Sequence, residues 1–262
     1  MGDINFLIYP FLGCVLLLLI HAYFGIHILE RGVIFLDLSM AQFIALGISI
    51  SFFMGSEAFG RQFYSIIFAI IGAAVLSLSR KIARFVNIEA FIGVFYIFSL
   101  ATSILVLDRT PHGLEELKAI LNGNIIWITE GDLLKMLALY SCIGLLHFFF
   151  RKRFFALSYE GKGSYLWEFF FFLSFAFVLV SSVSIAGILQ VFSFLVIPAL
   201  IGRLFSKEPF KALVIGWAVG LSGSMFGLIV SYKVDLPTAP LFTAFLSVIF
   251  FVLFALKVWR SR

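Results

Sequence analysis

The chain has 262 residues, 62% apolar and 13% charged, with a mean hydropathy of +1.12, which excludes an ordinary soluble globular domain. Its net charge of +5 is not a nucleic-acid signature, because Lys and Arg gather at the ends of apolar runs. Cys14 and Cys142 both lie in apolar runs and form no CxxC pair, which points to buried small hydrophobes rather than a disulfide or zinc site.

Apolar runs of about 17 residues or more recur along the chain, each long enough to cross a bilayer as a helix. The alternating ten-residue pattern of barrel strands is absent. The expected fold is an all-α, polytopic helical membrane protein, a single transmembrane domain over residues 1–262. Nine spans are expected, in the order Phe6–Ile28, Leu38–Met54, Phe63–Leu78, Ala90–Leu107, Leu133–Phe150, Trp167–Val183, Gly187–Phe205, Lys211–Ser231 and Leu241–Val258. The sixth and seventh are separated only by residues around Ser184, so one broken helix and a count of eight remain open. The first run has no basic residue ahead of it and reads as a retained span rather than a cleavable signal.

With the N-terminus outside and strict alternation, 14 of the 19 Lys and Arg residues fall on the inner side, and every inner connection contributes. That bias places the C-terminus inside. Between the first two spans, Phe24–Gly47 (FGIHILERGVIFLDLSMAQFIALG) holds Glu30, Arg31, Asp37, Ser39 and Gln42, and such groups in a membrane segment are functional candidates. His21 and His27 are six apart on one helix and point about 120° apart, so they do not clamp one ion together. Gln42, Ala45 and Ser49 share a helical face that Leu38 begins, with Asp37 off it. Gln42 then either bonds across a helix interface or lines a pathway.

Two connections are long. The outer one, Asp108–Asp132, carries Glu115, Glu116, Glu130 and Asp132, and its LEELKAIL portion reads as a surface amphipathic helix. The inner one, Arg151–Trp167, is basic and glycine-containing and suits a cytoplasmic partner. In the eighth span Gly216, Gly220, Gly223 and Gly227 form one stripe that lets a neighbouring backbone approach closely. No Walker motif and no HExxH is present, so the chain is not expected to be an enzyme, and any ATP hydrolysis belongs to another chain.

Four segments resemble the membrane permease subunits of bacterial ABC importers for zinc, manganese and iron. They are the Phe24–Gly47 stretch, the outer LNGNIIWITEGDLLK, VSIAGILQVFSFLVIPALIGRL with Pro198 and Ala199, and SYKVDLPTAP. The family's Asp-x-x-x-His pair aligns with Leu38 and Gln42, leaving Asp37 one place early. The resemblance implies a multi-pass inner-membrane permease that pairs with a second copy and is surrounded by membrane lipid, without nucleic acid. It further implies a cytoplasmic ATP-binding-cassette subunit and an extracytoplasmic substrate-binding protein as partners. The chain is expected to bind no cofactor, with a divalent metal as cargo. Asp37, Gln42, His27 and Ser49 are placed along the pathway, with Asp37 and Gln42 as metal ligands. The coupling segment falls by position between Leu157 and Tyr165, with Leu157, Ser158, Tyr159, Glu160 and Gly161 named as the coupling loop, although its residues match the family poorly. Asn124, Asp235, Pro237 and Thr238 are assigned to an outer gate or docking surface. Import of a metal chelate or other small solute, and a non-transporting scaffold or sensor, are the alternatives.

Overall fold

A computed structural model describes residues 6–56 and 58–260; Arg262, one of the expected inner cations, lies outside them. Among the described residues the chain is helical and has no strand. In order the helices are α1 (Ile8–Glu30), α2 (Leu36–Phe53), α3 (Ala58–Ser77), α4 (Ser79–Ile82), α5 (Ile88–Leu107) and α6 (Gly113–Asn122). A 3-10 turn at Ile125–Trp127 follows, then α7 (Glu130–Phe149), α8 (Arg151–Tyr159), α9 (Tyr165–Phe205), α10 (Pro209–Val234) and α11 (Thr238–Arg260). Eight of these are long and apolar enough to cross a membrane.

Eight rather than nine are counted because the expected sixth and seventh spans are merged in α9, which is 41 residues long. Gly187 interrupts it with φ 74° and ψ 164°, a conformation essentially confined to glycine. The carbonyl of Ile185, freed by the break, accepts a hydrogen bond from the Asn124 amide at 2.9 Å. Local chemistry sets other boundaries. Asn87 caps α5 by accepting from the Ala90 amide at 3.0 Å. Pro209 opens α10, and Asp235 closes it in the left-handed region at φ 55°.

The chain divides into two compact units. The first comprises Met1–Leu29, Asn122–Gly144 and Ile185–Arg262. Its packing depends on missing side chains. A Cβ on Gly25 would strike the Leu195 carbonyl, and one on Gly216 would sit 2.5 Å from that of Pro198. Along the α10 stripe, Gly220 faces Leu18, Gly223 faces Leu246 and Gly227 faces Phe242, so the stripe packs helices as expected. These registers fix directions. Cys14 meets Gln190 while Gly25 meets Leu195 and Ala199, so α1 runs parallel to the second half of α9. Gly202 against Ala212 and Gly216 against Pro198 make α10 antiparallel to that half. The pairs Gly223–Leu246 and Gly227–Phe242 make α11 antiparallel to α10.

The second unit comprises Glu30–Leu121 and Leu145–Ser184. Here α2 packs on α3 and α5. Gly47 lies against Tyr64 and Phe68, and the Phe43 ring packs tilted against those of Phe68 and Phe95. The Ser39 hydroxyl donates to the Ile92 carbonyl at 2.8 Å, tying the start of α2 to the start of α5.

Candidate functional site

In the second unit the polar residues of α2 are buried. Asp37 sits in the first turn with no exposed surface, and neither carboxyl oxygen has a hydrogen-bond partner among the described residues. Gln42, one and a half turns later, is 2% exposed. At about 100° per residue Asp37 and Gln42 point about 140° apart, so they address different neighbours. Ser49 is buried on the Gln42 face, but its hydroxyl donates to the Ala45 carbonyl of its own helix at 2.9 Å.

His27 belongs to the first unit, where it is 7% exposed with its ring 4.8 Å from that of Tyr23. The same unit holds a buried polar line that the sequence did not single out. His21 Nδ1 donates to the Leu17 carbonyl at 2.7 Å, while Nε2 is buried without a partner among the described residues. Gln190 Nε2 donates to Cys14 Sγ at 3.6 Å, and its Oε1 has none either. Among the described residues no three His, Cys, Asp or Glu side chains gather closely enough to hold a metal ion together.

The outer candidates also lie in the first unit. Gly123, at φ 57°, presses on the backbone of Ala186 and Gly187, and the amide of Asn124 caps Ile185. Thr129 Oγ1 donates to Asp132 Oδ2 at 2.6 Å, and the Asp132 amide donates back to Thr129 Oγ1 at 3.2 Å. The Thr-x-x-Asp spacing is therefore a capping box that starts α7. Asp235 ends α10, Pro237 follows, and Thr238 begins α11. The Ser231 hydroxyl donates to the Leu236 carbonyl at 2.6 Å and closes that turn.

At the connection expected on the inner side, Leu157, Ser158 and Tyr159 form the end of α8, and Glu160 and Gly161 form the turn after it. The amides of Glu160 and Lys162 both donate to the Ala156 carbonyl. Beneath this turn lies an ion cluster that sequence reasoning missed. The buried Glu168 carboxylate takes Arg31 on one oxygen at 2.8 Å and Arg80 on the other at 2.6 Å. Arg31 Nε also donates to Ser158 Oγ at 3.0 Å, and its guanidinium lies 3.9 Å from the Phe171 ring centre. Arg80 donates to the carbonyls of Leu157 and Gly163 at 3.3 and 3.4 Å.

Comparison with known proteins follows the same lines. The ABC 3 transport family matches residues 3–257. A probable metal transport system membrane protein of Chlamydia pneumoniae is 24% identical over 230 residues, covering 82% of this chain and 77% of its own. The manganese transport system membrane protein MntC of Listeria monocytogenes is 23% identical over 237 residues, covering 88% and 83%. Among solved structures, PsaBC from Streptococcus pneumoniae superposes with a TM-score of 0.78 at 18% identity, covering 97% of this chain and 92% of that one. That similarity speaks to the fold.

Proposed function

Given that this chain belongs to the ABC 3 transport family, we propose that it imports divalent metal ions (zinc, manganese or iron) as the permease subunit of an ATP-binding-cassette transporter. The family match over residues 3–257 carries the reading, and relatives named for metal and manganese transport support the cargo class. ATP is hydrolysed by a separate subunit that engages the turn Leu157–Gly161 on the inner face. A binding protein delivers cargo to an outer face that includes Asn124, Asp235, Pro237 and Thr238. Two copies of the chain, each one permease domain, form the pathway between them, and alternating access opens it to each side in turn.

Asp37 is the residue of α2 most suited to meet a cation. It is a hard oxygen donor, fully buried, with no hydrogen bond on either oxygen among the described residues. Gln42, His27 and Ser49 are assigned to the same route on weaker grounds. The Ser49 hydroxyl is already engaged by its own helix.

The test is ATP hydrolysis by the complex reconstituted in lipid with its ATPase subunit and binding protein. Manganese, zinc or ferrous ion is expected to stimulate turnover and to accumulate inside vesicles. Stimulation by a chelate while all three free ions fail would replace the free-ion reading. No stimulation by either, in an assembled complex, would favour a scaffold.

A further inference from the structure

Glu168, Arg31 and Arg80 take no part in the route assigned to the cargo, yet they are the most elaborate polar construction in the second unit. Glu168 is 2% exposed, and each of its oxygens holds one arginine. A buried carboxylate between two guanidinium groups is a costly arrangement unless its geometry is well satisfied. Here each carboxylate oxygen is paired with one guanidinium, and the two arginines reach three separate inner connections. Arg31 lies in the turn leading into α2, Arg80 lies in α4, and both reach the α8 turn through Ser158, Leu157 and Gly163. Gly163 lies so close against the Leu157 side chain that a Cβ there would overlap it.

The two faces of this inner segment differ. Arg151, Lys152, Arg153, Glu160 and Lys162 are exposed, whereas Phe154, Leu157 and Ser158 are buried. A load applied to the exposed face therefore has a short route inward. It passes from Ser158 and Leu157 to Arg31 and Arg80, which Glu168 holds together, and from Arg31 to the first turn of α2. That turn is braced by the Leu36 amide donating to Val33 at 3.1 Å, and the next residue is Asp37.

We infer that Glu168 is a positioning residue that fastens the segment 151–163 to α2, with Arg31 and Arg80 as its two hold points, so that movement of the inner segment displaces the helix carrying Asp37. The inference rests on the permease reading for its consequence, and on the ion cluster alone for its mechanics. An ion pair in a poorly hydrated site suits the role because the low local dielectric strengthens it and makes an unpaired partner costly.

Two measurements test it separately. In the purified full-length chain, Glu168→Gln is expected to speed amide exchange across 151–163 by about tenfold or more while leaving 188–205 unchanged. In the complex with its ATPase subunit, the variant is expected to keep hydrolysing ATP while manganese uptake per ATP falls about tenfold. Glu168→Asp, which retains the charge on a shorter arm, restores part of that ratio. A purely structural role would lower the amount of assembled complex and leave uptake per ATP untouched, which would overturn the inference. Unchanged exchange in 151–163 would overturn it as well. If Glu168→Gln also loosens 188–205, Arg80→Gln is the deciding variant, since the Arg80 side chain is 32% exposed and its loss is better tolerated. Wild-type uptake per ATP in Arg80→Gln rejects the clamp. A wild-type complex that moves neither a free metal ion nor a metal chelate would reject the permease reading instead, with the exchange result still deciding the clamp.

Discussion

At the scale of single residues, Asp37 and Gln42 divide the question of cargo between them. Burying a polar group without a hydrogen bond costs roughly 2–7 kcal/mol, and Asp37 is fully buried with neither oxygen bonded among the described residues. Replacing it with leucine is expected to raise stability to unfolding in detergent by about 1–3 kcal/mol while abolishing metal uptake. A less stable variant with full uptake would instead make Asp37 a packing residue. Gln42 needs a different test, because the resemblance puts it where an imidazole is expected. An amide oxygen is a poor zinc ligand and an imidazole a good one, so Gln42→His is expected to tighten the apparent zinc affinity by about tenfold. Titration of ATPase stimulation with zinc and manganese measures both affinities. Unaltered affinity and selectivity would place Gln42 at a helix interface.

At the scale of elements, α9 shows how one residue changes the meaning of a long apolar run. Gly187 holds φ 74° and ψ 164°, and any side chain there is strained by about 1–3 kcal/mol. Gly123 presses on the same backbone, so Gly187→Ala is expected to destabilise the chain by that amount and to weaken the seat of the outer segment. Thermal unfolding together with proteolysis between Asn122 and Thr129 measures both effects. The spans themselves were legible, because an apolar run between basic clusters specifies a crossing helix without reference to the rest of the fold. The Thr129–Asp132 cap lies in a segment that carried the resemblance, but it was not read there as a cap, although it closes within four residues. The break was visible only as an ambiguity near Ser184, since glycine is common in membrane helices and its φ is set by what packs on it. The Glu168 cluster was not legible. Its partners are separated by up to 137 residues, and Glu168 alone reads as an ordinary charge near a helix start.

At the scale of the molecule, helix direction bears on the number of crossings. In the first unit α1 is parallel to the second half of α9, α10 is antiparallel to that half, and α11 is antiparallel to α10. The first and last helices therefore run the same way, which requires an odd number of crossings. Eight helices among the described residues have the length and hydropathy of a span, so an odd total needs either one that counts twice or one that does not cross. The candidate is α9, because 41 residues extend for about 60 Å, twice the hydrocarbon thickness. Charge agrees, since Lys162 precedes α9 while Arg203 and Lys207 mark its other end, and both ends belong on the inner side. The expected topology is nine crossings, with the N-terminus outside and Gly187 near the outer surface beside Asn124. In a background with Cys14→Ala and Cys142→Ala, membrane-impermeant thiol labelling of Ser164→Cys and Lys207→Cys is expected only from the inner side. Ser184→Cys, at an exposed position, is expected to label from the outer side. Labelling of Ser164→Cys and Lys207→Cys from opposite sides would mean that α9 crosses once, and the odd total would then require another of the eight helices not to cross.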